Sequence, residues 1–322
     1  MKSLLRGCVL LCAAVMAGVF PAWAQNYPAK PIRLIVAAGA GGTSDVIARA
    51  IAQKLAESLG QQVVVDNRPG ANGVIGTEVA AKAAPDGYSI ILGSVSTHGS
   101  NPSLYSRLPY DPVRDFAPIT LVGQAPYVIL VQPSFPANSV KEFIGQAKAK
   151  PGQINYGAGT NAARIGTEMF NSMTGISLTH IPYKSTAQAL TDLMAGQLQV
   201  IFEPLVTALP HIKAGKLKVL GITSTRRLPM VPDIPTVAEA GVPGYEYSGW
   251  LAMYAPAGVP REVVQKLNAE IVKILNLPDI ADRLRSVGFE PQPTSSEQLA
   301  AFTKAEVAKY ARVVKEAGIQ PE

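Results

Sequence analysis

Short apolar segments rich in β-branched residues alternate along this chain with segments of helical periodicity. The first apolar segment, 32–37, precedes a segment that places six apolar side chains on one helical face: Val46, Ile47, Ala50, Ile51, Leu55 and Leu59. Further strands are expected at 62–66 and 88–93, with a helix at 74–82 between them. Because parallel strands need a crossover connection, this alternation predicts an α/β fold with mostly parallel sheets and helices on both faces.

A second set of the same kind follows a charge-free stretch at 116–140. Prolines and a glycine interrupt that stretch, so it predicts two short buried strands rather than a membrane helix: Pro118, Gly123, Pro126, Pro133 and Pro136. The other expected strands lie near 127–132, 154–156, 177–181, 198–202, 218–222 and 247–254. The other expected helices are at 139–148, 161–173, 185–195, 260–275, 279–286 and 296–317.

Two sets of strands predict two domains with a cleft between them. The charge-free stretch and the Pro-rich connector that starts at Arg226, RRLPMVPDIPT, are the expected crossings between the domains. We therefore expect a discontinuous first domain, 25–125 with 224–322, and a second domain of 126–223.

The first 24 residues have the pattern of a secretory signal peptide. Lys2 and Arg6 form a basic start, residues 7–20 are apolar and uncharged, and Ala22-Trp23-Ala24 supplies the small residues of a cleavage site. The apolar part is too short for a transmembrane helix. The exported chain is therefore expected to begin at Gln25, with 1–24 removed.

Both cysteines of the chain, Cys8 and Cys12, lie inside this segment. Leu11 precedes Cys12, where a lipid-attachment site needs a small residue, and Cys8 comes before the apolar stretch, so lipidation is the weaker interpretation. The exported chain then has no cysteine for disulfides, thiolate metal sites or nucleophilic catalysis. Its net charge falls from +6 to +4, and its scattered basic residues argue against a nucleic-acid partner.

A glycine turn joins the first strand to the first helix, in the sequence IRLIVAAGAGGTSD at 32–45. Gly39, Gly41 and Ser44 almost match a dinucleotide fingerprint, and Asp66 stands where an acidic ribose ligand belongs. However, Ser44 replaces the third glycine, and an exported protein would acquire such a cofactor outside the cytoplasm. A purely structural turn is the second interpretation. The third, which we favour, is a small anion held by backbone N–H groups and the helix N-terminus.

Several further motifs occur in a fixed order along the chain. They are NRPGANGVIG (67–76), PDGY (85–88), GAGTNAARIGTE (157–168), HIPYKSTAQALTDLMAGQ (180–197), FEPL (202–205), HIKAGKLKVLGITSTRR (211–227), DIPTVAEAG and SGWLAMYAPAGVP. As an ordered set they resemble the substrate-binding proteins of tripartite tricarboxylate transporters, the Bug-type family. The resemblance extends from about Tyr27 to the C-terminus.

This resemblance implies a two-domain periplasmic-binding-protein (flytrap) fold that closes on a ligand in the periplasm. The implied ligand is a small carboxylate: a di- or tricarboxylate, an acidic amino acid or an aromatic acid. The implied partners are the membrane subunits of a tripartite transporter or, as an alternative, a sensor kinase. The implied protein is a monomer that binds its ligand without a cofactor or a metal ion.

The family's ligand-binding positions transfer to this sequence at the strand ends. They are Gly42, Thr43 and Ser44 in the glycine turn, Ser96 and Thr97 after the third strand, Gly159, Thr160, Asn161 and Arg164 at the start of the 161–173 helix, and Tyr183, Glu203 and Pro204. In open α/β sheets this edge is where ligands bind. The resemblance thus implies that the glycine turn holds a carboxylate.

Two of these positions depart from the family pattern. Glu203 stands where the family commonly has Asp, and Arg164 where it often has His. Arg164 lies in the first turn of its helix, where the dipole disfavours a cation, so we expect a negative partner. The alternatives are Glu168 four residues on, Asp192 or Glu203, and a second carboxylate of the ligand.

No catalytic site is expected. Of the three histidines, His98 falls in a candidate ligand loop, His180 precedes a strand-end proline, and His211 is expected to open a surface helix. The chain has no H-E-x-x-H and no G-x-S-x-G motif. A binding protein is therefore expected, with a secreted enzyme on the same fold as the weaker alternative.

Overall fold

The computed structural model describes residues 27–321, so the expected signal peptide lies outside the described residues. The strands are β1 Ile32–Val36, β2 Val63–Asn67, β3 Ser89–Ser94, β4 Phe116–Val131, β5 Asn155–Ala158, β6 Thr179–Pro182, β7 Val200–Pro204, β8 Lys218–Ile222, β9 Ser248–Pro256 and β10 Glu290–Pro291. The α-helices are α1 Thr43–Leu59, α2 Val74–Ala81, α3 Asn101–Leu104, α4 Val140–Ala149, α5 Asn161–Thr174, α6 Thr186–Met194, α7 Leu205–Lys213, α8 Arg261–Leu275, α9 Pro278–Ser286 and α10 Ser296–Glu316.

The strands form one curved sheet of ten strands, which has two halves that share β4. We call β2-β1-β3-β9-β4-β10 the first half and β8-β4-β7-β5-β6 the second half. Each half has parallel strands away from β4: β2, β1 and β3 in the first, and β6, β5 and β7 in the second. The strands beside β4 run antiparallel to it.

β4 is a single strand of 16 residues, where two short strands were expected. Its register shifts between Pro118 and Thr120 and again between Leu121 and Gly123, so Pro118 and Gly123 are accommodated by irregularities in the ladder. Pro133 and Pro136 follow the end of the strand. β4 pairs with β9 as far as Pro126, and from Tyr127 onward it pairs with β7 and β8. This one strand therefore carries the chain from the first half to the second.

The helices cover both faces of each half, as the alternating pattern predicts. On one face, α1 and α8 pack on the first half through Ile51, Leu55 and Leu267 among others. α6 and α7 pack on the second half through a separate apolar cluster. On the other face, α2, α4, α5 and α10 share one core that continues from one half to the other. The chain is thus an α/β protein with helices on both faces of its sheet.

Helix ends follow local signals that the sequence carries. α1 starts after Gly42 and stops at Gly60, whose φ of 66° suits glycine. α5 starts after Thr160, whose hydroxyl accepts the N–H of Ala163 at 3.1 Å, and stops at Gly175. Among residues 27–321, no helix is both long enough and apolar enough to span a membrane.

Three features differ from the sequence expectations. A π-helical turn, Val95–Ser100, follows β3 where no helix was expected. Helix α7 begins directly after β7 and continues through Pro210, so His211 lies in its last turn rather than opening a helix. The Pro-rich connector and the residues that follow it pack against the second half: Thr236 bridges Ile222, and the Tyr245 hydroxyl donates to the carbonyl of Gly166.

Candidate functional site

Five segments that carry the predicted site residues lie at the carboxyl ends of parallel strands. In the first half these are the glycine turn after β1 and the π-helical turn after β3. In the second half they are the loops after β5 and β6 and the end of β7 itself. Because parallel strands end on the same edge of a sheet, each half presents its candidate residues along a single edge.

Asp45 fixes the shape of the glycine turn. Its carboxylate accepts the N–H of Gly41 at 2.9 Å and forms an ion pair with Arg49 at 3.0 Å. Burial raises the pKa of Asp45, but the bonds from Arg49 and Gly41 outweigh burial and bring the pKa below its usual range. Gly42, Thr43 and Ser44 form the N-terminal end of α1, and the Thr43 hydroxyl oxygen is buried without a hydrogen-bond partner.

Asp66 accepts hydrogen bonds from the guanidinium groups of two arginines. Arg33 donates to it at 2.6 Å and Arg68 at 3.0 Å. Burial raises the pKa of Asp66, but the two arginines more than compensate and lower it. The carboxylate that a dinucleotide site would direct at a ribose is thus used to tie β2 to β1.

The two predicted residues of the π-helical turn point to different neighbours. The Ser96 hydroxyl accepts the backbone N–H of Ala162, at the start of α5, at 3.1 Å. Thr97 bonds back to Ser94 and lies 2.9 Å from Nδ1 of His98. His98 is fully buried, stacks on Tyr254 with ring centroids 4.1 Å apart, and has its pKa lowered to about 3 by burial. His98 is therefore a packing residue.

Gly159 allows the starts of α5 and α6 to meet. A Cβ atom at Gly159 would clash with the backbone of Ser185 and Thr186. Ser185 is the N-cap of α6, as Thr160 is the N-cap of α5. Two helix N-termini, with their positive dipole ends, therefore lie side by side at one edge of the second half.

Asn161 is buried and forms a hydrogen bond with a residue that the sequence did not single out. Its Nδ2 donates to Oδ1 of Asn101 at 3.0 Å, and Asn101 is itself fully buried. Since 60 residues separate the two asparagines, no local sequence signal could have paired them.

Arg164 lies half-buried in the first turn of α5. The pKa of His180 is lowered to about 4, mainly because His180 is buried and also because of the positive charge of Arg164. Glu168 is one of the alternative partners of Arg164, and its carboxylate accepts hydrogen bonds from Tyr156 and Asn171.

The remaining predicted residues follow β6 and end β7. Tyr183 donates to Asp192 at 2.8 Å, and burial together with Asp192 raises the pKa of Tyr183 to about 12. Glu203 is 3% exposed, accepts a hydrogen bond from Thr207, and has its pKa raised to about 8 by burial. Pro204 ends β7 opposite Tyr127.

The structure thus brings together Ser96 with the start of α5, and Gly159 with the start of α6. Within the described residues, no hydrogen bond links Gly42, Thr43 or Ser44 to the other four segments. In the same part of the chain, no group of three or more His, Cys, Asp or Glu side chains is placed to hold a metal ion. The groups that are brought together can supply hydrogen bonds and the positive ends of two helix dipoles.

Known proteins resemble this chain over almost its whole length. Residues 47–319 match the tripartite tricarboxylate transporter family receptor. BugT of Bordetella pertussis is 37% identical over 301 residues, which cover 92% of each chain. The structure of Rpa4515 from R. palustris with adipate has a TM-score of 0.89 at 36% identity, covering 92% of this chain and 100% of that one.

A further solved structure has the same fold. MatC from Rhodopseudomonas palustris, with bound malate, has a TM-score of 0.84 at 31% identity and covers 89% of this chain and 100% of that one. The match of the receptor family to most of the chain, the Bug-named relative and these folds agree with the ordered motifs. This chain belongs to the tripartite tricarboxylate transporter receptor family, the Bug-type solute-binding proteins.

Proposed function

We propose that this protein is a periplasmic solute-binding protein that captures a small carboxylate between the two halves and delivers it to a tripartite membrane transporter. The observation that carries the proposal is the pair of adjacent helix N-termini, α5 and α6, at Gly159. Helix N-termini bind anions through free N–H groups. Two relatives have structures with the dicarboxylates adipate and malate, which supports this ligand class.

In this proposal the ligand is held mainly by groups at the loop ends. N–H groups and hydroxyls at Gly42, Thr43 and Ser44 face it from the first half, with the π-helical turn beside them. Thr160 and Asn161 face it from the second half, with Tyr183, Glu203 and Pro204 at the neighbouring strand ends. Arg164 is the proposed partner for a second carboxylate of the ligand.

Closure of the two halves follows from this arrangement, because both contribute groups to one small molecule. We propose 25–125 with 224–322 as the first domain and 126–223 as the second. The switch of β4 pairing between Pro126 and Tyr127 supports the first crossing. The contact of Thr236 with Ile222 and that of Tyr245 with Gly166 lie at the second crossing, between 126–223 and 224–322.

Thermal unfolding with a panel of carboxylates tests the function. Adipate, malate, citrate, glutamate and benzoate are added singly, and dimethyl adipate serves as the uncharged control. A ligand at 100 times its Kd stabilises the folded state by about 2.7 kcal/mol, so Tm should rise with at least one acid and not with the diester. The bound acid should be recovered chemically unchanged. No shift with any acid, or conversion of the acid to a product, would contradict the proposal.

Export is part of the proposal and has its own measurement. The mass of the protein recovered from the periplasm should correspond to a chain that begins at Gln25 and carries no lipid. A diacylglycerol-modified cysteine in that mass would mean an anchored protein instead.

A further inference from the structure

Two buried hydrogen bonds join the first half directly to the start of α5 in the second half. Asn161 donates to Asn101 at 3.0 Å, and the N–H of Ala162 donates to the hydroxyl of Ser96 at 3.1 Å. All three side chains involved are at least nine-tenths buried. Buried polar groups that lose their partner are costly, so these bonds favour the arrangement in which the halves touch.

The orientation of the Asn101 amide is fixed from within the first half. Its Nδ2 donates to the carbonyl of Asn72 at 3.2 Å and to the hydroxyl of Tyr110 at 3.3 Å. Tyr110 in turn donates to the carbonyl of Thr97 at 2.7 Å. With both N–H bonds of the amide used in this way, Oδ1 is left to face Asn161.

The loop that holds Asn101 is itself constrained. Ala71 and Asn72 have φ values of 45° and 51°, in the left-handed region that non-glycine residues seldom occupy. Next to them, a Cβ atom at Gly76 would overlap Ala37, and a Cβ atom at Gly73 would overlap the side chain of Thr97 and lie close to Ala37. Ala37 leads from β1 into the glycine turn. The Asn101 acceptor is therefore anchored to the same structure that forms the first-half side of the site.

Ser96 also contributes to the N-terminal capping of α5 in the second half. The Ala162 N–H belongs to the first turn of α5, where N–H groups lack partners within the helix. Ser96 satisfies this N–H with a hydroxyl from the opposite half. The helix thus receives part of its capping from the first half and part from its own Thr160.

We propose that Asn101 and Ser96 form a closing contact that holds the two halves together in the absence of ligand. In this contact Asn101 is a positioning residue, which sets Asn161 and the first turn of α5 at the edge of the cleft. The effect on ligand affinity rests on the proposed function, whereas the effect on closure is a property of the ligand-free protein.

Distance measurement between spin labels tests closure without any ligand. The expected exported chain has no cysteine, so Gln53→Cys on α1 and Lys148→Cys on α4 introduce the only labelling sites. Both positions are exposed, one on each half. Double electron–electron resonance then compares the parent with Asn101→Ala and Ser96→Ala. Asn268→Ala is the matched control, because it removes two hydrogen bonds to Ile119 and Thr294 inside the first half.

The parent and Asn268→Ala should show the same short distance. Asn101→Ala and Ser96→Ala should each lower the closed-to-open ratio, by roughly 5- to 30-fold if the lost bond has the usual worth of a buried hydrogen bond. Circular dichroism checks that each variant is folded. An open distance in the unliganded parent, or unchanged distances in both folded variants, would overturn the proposal. If no carboxylate binds the parent, the proposed function fails while this measurement still decides the closing contact.

Discussion

At the residue scale, Glu203 is a carboxyl group that is fully buried at the end of β7. Its side chain accepts a hydrogen bond from Thr207, but the effect of burial on its pKa outweighs that bond. Transfer of a carboxylate out of water is unfavourable, so the group is retained in its neutral form at neutral pH. A neutral acid at the end of β7 also adds no negative charge where a carboxylate ligand is proposed to bind.

Stability should reveal this ionisation. The pKa of Glu203 is raised to about 8 in the folded protein, against about 4.5 when unfolded, so the folded state holds an extra proton between these values. Stability therefore falls as pH rises through this window, by up to about 1.4 kcal/mol per pH unit, and the loss ends above pH 8. Urea unfolding at pH 5, 6, 7 and 8 should show a weaker pH dependence for Glu203→Gln.

The matched control for this measurement is Glu57→Gln, an exposed carboxyl group of α1. Its pH dependence should follow that of the parent. Parallel curves for the parent and Glu203→Gln would mean that Glu203 is ionised in the folded protein after all.

Arg164 gives a second residue-scale prediction, which concerns ligand choice. If it binds the distal carboxylate, Arg164→Ala should weaken adipate binding by about 1.5–3 kcal/mol, the usual worth of a charge-assisted hydrogen bond. That is roughly a 10- to 150-fold rise in Kd. Hexanoate has one carboxylate on the same chain length and should be nearly indifferent to the change. Calorimetry measures both ligands.

A matched variant separates the ligand contact from general charge effects. Lys141 is an exposed cation in the first turn of α4, also in the second half, and Lys141→Ala should leave both affinities unchanged. Equal losses for adipate and hexanoate on Arg164→Ala would assign Arg164 a structural role.

At the element scale, the packing of α5 against α6 depends on a missing side chain. A Cβ atom at Gly159 would overlap the backbone at the start of α6, whereas one at Gly145 within α4 would meet nothing within 4 Å. The same substitution should therefore have opposite effects at the two positions. Gly159→Ala should destabilise the protein, and it should also weaken carboxylate binding because it separates two helix N-termini.

Gly145→Ala is the control, and it should stabilise the protein by roughly 0.5–1 kcal/mol, since alanine restricts the unfolded chain. Urea unfolding measures both variants, and calorimetry measures their affinity for adipate. A Gly159→Ala variant as stable and as tight-binding as the parent would show that α5 and α6 can separate without consequence.

Elements with regular periodicity were predictable from the sequence, and irregular ones were not. α8 and α10 agree with expectation to within one or two residues, because their apolar positions repeat, and Ser295 also caps the start of α10. β4 was expected as two strands because prolines usually end strands, yet register shifts accommodate them. α7 was missed because it follows β7 without a linker and contains Pro210.

The candidate site likewise contains residues whose roles were predictable from the sequence and residues whose roles were not. Gly159 and Thr160 carry local signals, a turn glycine and an N-cap residue, and the structure gives them those local roles. The contacts of Ser96 and Asn101 with α5 depend on the meeting of two halves of the sheet, which local sequence does not encode. Sequence patterns therefore do not predict which distant residues form hydrogen bonds with buried polar side chains.

At the scale of the whole molecule, affinity and closure are linked. If only the closed form holds ligand in full, the apparent Kd equals the intrinsic Kd divided by the closed fraction. A substitution that only loosens the halves must raise Kd by the factor by which it lowers the closed fraction of the ligand-free protein. A substitution that also removes a ligand contact must raise Kd by more than that factor.

This relation separates the roles of Asn101 and Ser96, which the structure places in the same contact. Asn101 is proposed to act only through closure, so the increase in adipate Kd on Asn101→Ala should equal the loss of closed fraction measured by spin-label distances. Ser96 is also a proposed ligand residue. The increase in adipate Kd on Ser96→Ala should therefore exceed the factor by which the closed fraction falls, by a further 3- to 10-fold, which is about the worth of one neutral hydrogen bond. Calorimetry with adipate supplies the Kd values. An excess for Asn101→Ala would make it a ligand contact, and no excess for Ser96→Ala would confine Ser96 to the closing contact.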